Sequence, residues 1–119
     1  MTQQRLSLGR WGEQQAVCYL RRRLYRIVAT NYSCRGGEID IIAQRGGILA
    51  FVEVKTRRGT AYGTGGEAVN ERKQRQIIRA AQWYLASQPS PLQPRFDVIS
   101  ILVSGAVPVI DHVPNAFTL

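Results

Sequence analysis

Asp40, Glu53 and Lys55 are the residues whose types and spacing carry chemistry. Alternate residues of a strand share a face. Glu38 and Asp40 then lie on one face of one strand, with Ile39 and Ile41 on the other. Glu53 and Lys55 lie together on the next strand, on the face that carries Leu49 and Phe51. Gly46-Gly47 between them signals a two-residue hairpin turn, because such turns need positive φ. That turn pairs Arg45 with Ile48, and counting outward sets Asp40 opposite Glu53 and Glu38 opposite Lys55. A loop one residue longer or shorter breaks this parity. Two carboxylates across a ladder, with Cβ atoms about 5 Å apart, repel unless a cation or a raised pKa relieves them. A hard divalent ion, Mg²⁺ or Mn²⁺, suits a site that offers oxygens and no soft ligand. Lys55 is placed to orient an attacking water or to hold a phosphate oxygen.

These side chains need a scaffold, and apolar spacing outlines it. A helix is predicted over about Leu6 to Leu24, with Val17, Leu20 and Leu24 on one face. Glu13 precedes Val17 by four residues, so it shares that apolar face and can approach the hairpin end as a further metal ligand. A strand over Tyr25 to Tyr32 is followed by a bend at Cys34-Arg35-Gly36-Gly37. Strands over Glu38 to Gln44 and Ile48 to Lys55 form the hairpin. Thr56 to Gly66, with Gly59, Gly63, Gly65 and Gly66, reads as a mobile loop. A second helix spans about Asn70 to Ser87, and Ile77, Ala81 and Leu85 mark its buried stripe. Pro89, Pro91 and Pro94 form a connector to strands over Phe96 to Val103 and Val107 to Val113, with Pro108 placing the last at a sheet edge. The order α-β-β-β-α-β-β predicts an α/β layered domain with a mixed sheet, one domain over residues 1–119.

Charge narrows the function. Sixteen Lys and Arg against eight Asp and Glu give a formal net charge of +8. Fourteen of those cations are Arg, the side chain suited to bidentate phosphate contact. Glu13, Glu38, Asp40 and Glu53 are half of all the acids, so the rest of the surface is more basic still. A negative pocket on a positive surface suits phosphodiester cleavage, the surface gripping the backbone and the pocket a metal. Arg35, Arg57, Arg58, Lys73 and Arg75 are the expected nucleic-acid contacts. Tyr62 is expected to join Arg57 and Arg58 in a loop that orders on the bound backbone. No apolar stretch is long enough for a membrane span, and the first residues carry no signal-peptide core. Cys18 and Cys34 form no CxxC and are expected to be inert thiols of a cytoplasmic protein. The single histidine, His112, is expected to be an edge-strand residue without catalytic duty. Trp11, Trp83 and Tyr84 are expected in the core.

Gly37-Glu38-Ile39-Asp40 followed by Phe51-Val52-Glu53-Val54-Lys55-Thr56-Arg57 resembles the D…ExK signature of the restriction-endonuclease-like superfamily. The chain as a whole resembles the small bacterial YraN family, related to Holliday-junction resolvases. Gly9-x-x-Gly12-Glu13, Asn31-Tyr32, Arg35-Gly36-Gly37, Lys73-Gln74 and Arg95-Phe96-Asp97-Val98 carry that likeness. The resemblance implies an α/β/α nuclease core with Asp40 and Glu53 as metal-binding acids and Lys55 as the catalytic lysine. It implies that Glu13 and the Val54 backbone carbonyl join the metal shell, and that Glu38 is a supporting acid. The expected activity is a metal-dependent endonuclease on DNA, branched or junction DNA included, acting as a homodimer. The alternative is a non-catalytic nucleic-acid-binding module that retains the fold. In the simpler reading, Asp40, Glu53 and Lys55 are a solvated ion pair on a surface hairpin.

Overall fold

The computed structural model describes residues 2–59 and 69–118, with side chains from residue 8 onward. Tyr62, Gly63, Gly65 and Gly66, which belong to the expected loop, lie outside the described residues. The elements are α1 (Thr2–Arg22), β1 (Arg26–Cys34), β2 (Gly37–Arg45), β3 (Ile48–Arg58), α2 (Glu71–Ser87), β4 (Gln93–Val103) and β5 (Val109–Phe117). The order is the expected α-β-β-β-α-β-β. One mixed sheet runs β1-β2-β3-β4-β5, and only β3 and β4 are parallel. A parallel pair needs a long crossover, and α2 is that crossover.

Period-two alternation along β3 builds three layers. Leu49 and Phe51 pack with Ile77, Ala80 and Ala81 of α2. Ala50 and Val52 pack with Ala16 and Leu20 of α1 on the opposite face. The helices therefore cover both faces, and each face has its own apolar cluster. Asn70 caps α2, its side chain accepting from the Lys73 backbone N–H at 2.9 Å. Such a cap satisfies one of the helix's orphan donors. No helix among the described residues is long and apolar enough to cross a membrane.

Several expectations change. Leu24 is 83% exposed, because its φ of 69° ends the helix and turns the side chain off the buried face. Trp83 is 49% exposed, lying over Gly36, where its ring leaves no room for a Cβ. Tyr84 is in the core beside Phe51 and Tyr32, and Trp11 packs on the α1-side cluster. Pro94 falls inside β4, opposite Leu49 near the strand's start, and Pro108 precedes β5. β5 is nevertheless the sheet edge, and the proline within it is Pro114. Thr56, Arg57 and Arg58 belong to β3, not to a loop, because they continue the parallel ladder opposite Ile101, Leu102 and Val103.

A second set of buried polar groups ties α1 to the far end of the sheet. Asp97 is fully buried. Its Oδ1 accepts from Arg95 Nε at 2.8 Å and from the Asn115 N–H at 3.0 Å. Its Oδ2 meets Arg95 Nη2 at 2.7 Å and His112 Nε2 at 2.9 Å. Burial pushes the Asp97 carboxyl up, but the bonds from His112, Arg95 and Asn115 more than offset it and hold it below the usual carboxylate range. Arg95 Nη2 also donates to the Tyr25 hydroxyl at 2.6 Å. Removing that acceptor costs the part-buried Arg95 one of its partners, so Tyr25→Phe is expected to cost about 1 kcal/mol in urea unfolding.

Candidate active site

The hairpin has the expected register at its turn. Gly46 takes φ 56°, and Arg45 pairs with Ile48. The ladder continues to Ile41↔Val52 and stops there. Beyond it β2 and β3 part, and Asp40 bridges the opening with its side chain. Asp40 Oδ2 accepts the Val54 N–H at 2.8 Å.

The facing of β2 departs from simple alternation. Ile39 packs in the α2-side cluster and Ile41 in the α1-side cluster, so they do not share a face. Their partners in β1 switch together: Tyr32 joins the α2 side, while Thr30 lines a groove with α1. Between those two pairs stand Asn31 and Asp40. Asn31 has φ 53°, a left-handed conformation that asparagine tolerates better than most residues. The paired strands thus roll over at Asn31 and Asp40, which brings Asp40 to the parted edge of β3.

The Asp40 and Glu53 carboxyls lie within side-chain hydrogen-bond reach of one another. Glu53 is 7% exposed. Burial, then the Asp40 charge, pushes Glu53 up to about 7, while Lys73 and Lys55 pull it down. Burial also raises Asp40, against the opposing Val54 N–H. Lys73 Nζ of α2 lies 3.8 Å from Glu53 Oε2. Lys73, expected on nucleic acid, is therefore a partner of the acid pair. Only the fold reveals this, because the two residues sit on different elements.

Glu13 comes to the same place from α1. Burial and then the charge of Asp40 raise its pKa, and a hydrogen bond with Asn31 lowers it. Its approach depends on Gly12, where any Cβ would collide with the Thr56 hydroxyl. Gly12→Ala must lever α1 off β3, and is expected to cost about 1–3 kcal/mol in thermal or urea unfolding. Glu13, Asp40, Glu53, Val54, Lys55 and Thr56 line one pocket of about 370 Å³.

The other candidates lie outside that pocket. Glu38 is exposed and acts on Asp40 and Glu13 through its charge alone. Arg35 is exposed in the β1–β2 turn, and Arg57 and Arg58 end β3. Arg75 pairs with Glu71 one turn away at 3.8 Å, on the exposed side of α2. Cys18 and Cys34 are free thiols. Among the described residues no three His, Cys, Asp or Glu side chains gather closely enough to form a metal cluster. The donor chemistry still fits Mg²⁺, which is usually held by one or two carboxylates and keeps several waters. Half-buried Asp40 and buried Glu53 are such a pair.

Fold and pocket together define a three-layer α/β domain with a paired-carboxylate pocket at the parted end of its sheet. Residues 12–101 match the model of a family described as "Uncharacterised protein family UPF0102". The chain belongs to the UPF0102 family, the YraN family of the resemblance. It is 54% identical over 118 residues to a UPF0102 protein of Syntrophotalea carbinolica, covering 98% of this chain and 96% of that one. A UPF0102 protein of Geobacter metallireducens is 54% identical over 114 residues, 95% of this chain and 93% of its own. One from Nocardia farcinica is 49% identical over 113 residues, 93% and 89% respectively.

Proposed function

We propose that this protein is a metal-dependent endonuclease that hydrolyses phosphodiesters in DNA, with branched or junction DNA among its substrates. The observation that carries this reading is the pairing of half-buried Asp40 with buried Glu53 at the parted end of the β2–β3 ladder. The chain's formal net charge of +8 supports a polyanionic substrate. The likeness of the Gly37–Asp40 and Phe51–Arg57 segments to the restriction-endonuclose-like pattern adds to it.

Asp40 and Glu53 would hold Mg²⁺ or Mn²⁺, with the Val54 carbonyl and Glu13 completing the oxygen donors. Bound there, the ion would supply charge stabilisation at the scissile phosphate and lower the pKa of a water. Asp40 is oriented by the Val54 N–H, so its second oxygen is left for the pocket. Holding an ion needs the charged form of Glu53, which Lys73 and Lys55 favour. Lys55 lines the same pocket and orients the attacking water or holds a phosphate oxygen. Arg57 and Arg58 leave the pocket along β3, and with Arg35 and Arg75 they grip the backbone. The reducing cytoplasm suits the two free thiols.

A non-catalytic nucleic-acid-binding module is the second reading, favoured by the lack of a three-ligand cluster among the described residues. One panel separates the two. Purified protein is incubated with four-way, flapped, duplex, single-stranded and RNA substrates in Mg²⁺ and in Mn²⁺. Metal-dependent cutting of a DNA substrate supports the nuclease. Salt-sensitive binding with no cutting in either metal supports the module.

A further inference from the structure

We propose that the far end of α1 carries a second site, independent of the acid pair, that binds a phosphomonoester group. The site is a pocket of about 240 Å³ lined by Tyr19, Arg23, Tyr25, Arg45, Arg95 and His112. It draws on the end of α1, the turn that follows it, the end of β2, the start of β4 and the middle of β5. From Glu13 to Arg23 the chain advances about 15 Å along the helix axis. The acid pocket therefore opens beside the middle of α1 and the second pocket at its C-terminal end.

Charge balance selects the ligand. The charge of Arg95 is met by the buried Asp97, whose two oxygens are fully engaged within the protein. Both ring nitrogens of His112 are also taken, by Asp97 and by the Tyr19 hydroxyl at 3.3 Å. Arg23 and Arg45 have no carboxylate within ion-pair distance among the described residues. Each guanidinium instead lies over a tyrosine ring, Arg23 at 4.9 Å from the Tyr19 centroid and Arg45 at 4.5 Å from that of Tyr25.

Stacking fixes the planes of the two forks and leaves their N–H edges free. Arg45 Nη1 donates to the Arg23 backbone carbonyl at 3.1 Å, which ties the Arg45 side chain to the end of α1. Two uncompensated positive charges, presented as rigid forks, match a phosphomonoester, which carries about −1.5 to −2 at neutral pH. A carboxylate or an internal phosphodiester carries a single charge and leaves one arginine unmatched. The phosphate can come from a strand terminus, from a mononucleotide or from free phosphate.

The test is calorimetric titration of the full chain at constant ionic strength in EDTA, which silences any metal at the acid pair. The probes are inorganic phosphate, a nucleoside 5′-monophosphate, and one oligonucleotide with a 5′-phosphate or a 5′-hydroxyl. Saturable phosphate binding beyond a chloride control is expected. Both arginines are exposed, so the Arg23→Ala/Arg45→Ala protein should fold, which its melting temperature checks. It is expected to bind at least about tenfold more weakly. Asp40→Asn is expected to leave phosphate binding unchanged, so failure at one pocket is distinguishable from failure at the other. The tightest of the three phosphate carriers identifies the source, and a 5′-phosphate over 5′-hydroxyl preference assigns it to strand ends. Equal binding by wild type and double variant, or no binding above chloride, overturns the proposal.

Discussion

Asp40→Ala and Glu53→Ala are each expected to lower metal-dependent cleavage by more than about a hundredfold while the protein stays folded. Asp40 holds its place through one backbone donor, the Val54 N–H, and its removal takes away half of the oxygen pair. Glu53 is the more buried partner, and its loss leaves Lys73 without the carboxylate it faces. The loss should fall on kcat, because the arginines proposed to grip DNA lie outside the acid pocket. Single-turnover cleavage and binding by gel shift, run on both variants, separate the two effects. Cleavage at the wild-type rate by either variant removes the acid pair from the chemistry.

The E53Q protein is expected to gain stability above neutral pH as it loses activity. Glu53 has a folded-state pKa raised from 4.5 to about 7. A carboxyl raised on folding contributes stability that is fully present below its unfolded value and lost as pH rises through its folded value. The metal-free wild type should therefore lose up to about 3 kcal/mol of this contribution between pH 5 and pH 8. Glutamine can hydrogen-bond to Asp40 and cannot ionise, so the difference between variant and wild type reports the titration of the Glu53–Asp40 pair and cancels the distant groups. Urea unfolding in EDTA at the two pH values is the measurement. Added Mg²⁺ should restore the wild type at pH 8 and do little for E53Q, since a ligand that binds only the folded state stabilises it. Parallel pH profiles for the two proteins would mean that Glu53 is already ionised in the fold.

Much of this was legible in the sequence because it is local. Alternating apolar residues marked β2 and β3, the glycine pair marked their turn, and Asn70 marked the start of α2. The turn alone set the register from Arg45↔Ile48 to Ile41↔Val52. What was not legible depends on partners distant in the chain or on one unusual dihedral. The roll at Asn31 and Asp40 follows from a left-handed φ that no periodicity reports. It is why Ile39 and Ile41 face opposite layers although their spacing predicts one. Lys73 reaches Glu53 only after the crossover helix docks. His112 looked idle on an edge strand because Asp97 and Tyr19, its partners, come from other elements. Arg57 and Arg58 were assigned to a loop by the glycines that follow them, but pairing with β4 outweighs that composition.

The most direct measurement is a Mn²⁺ titration of the metal-free protein at pH 7.5, followed by calorimetry and by the paramagnetic signal of free Mn²⁺. One saturable ion per chain, bound with release of protons and absent from the Asp40→Asn protein, is the expected result. Identical isotherms for the wild type and that variant would contradict a divalent ion held by these two carboxylates.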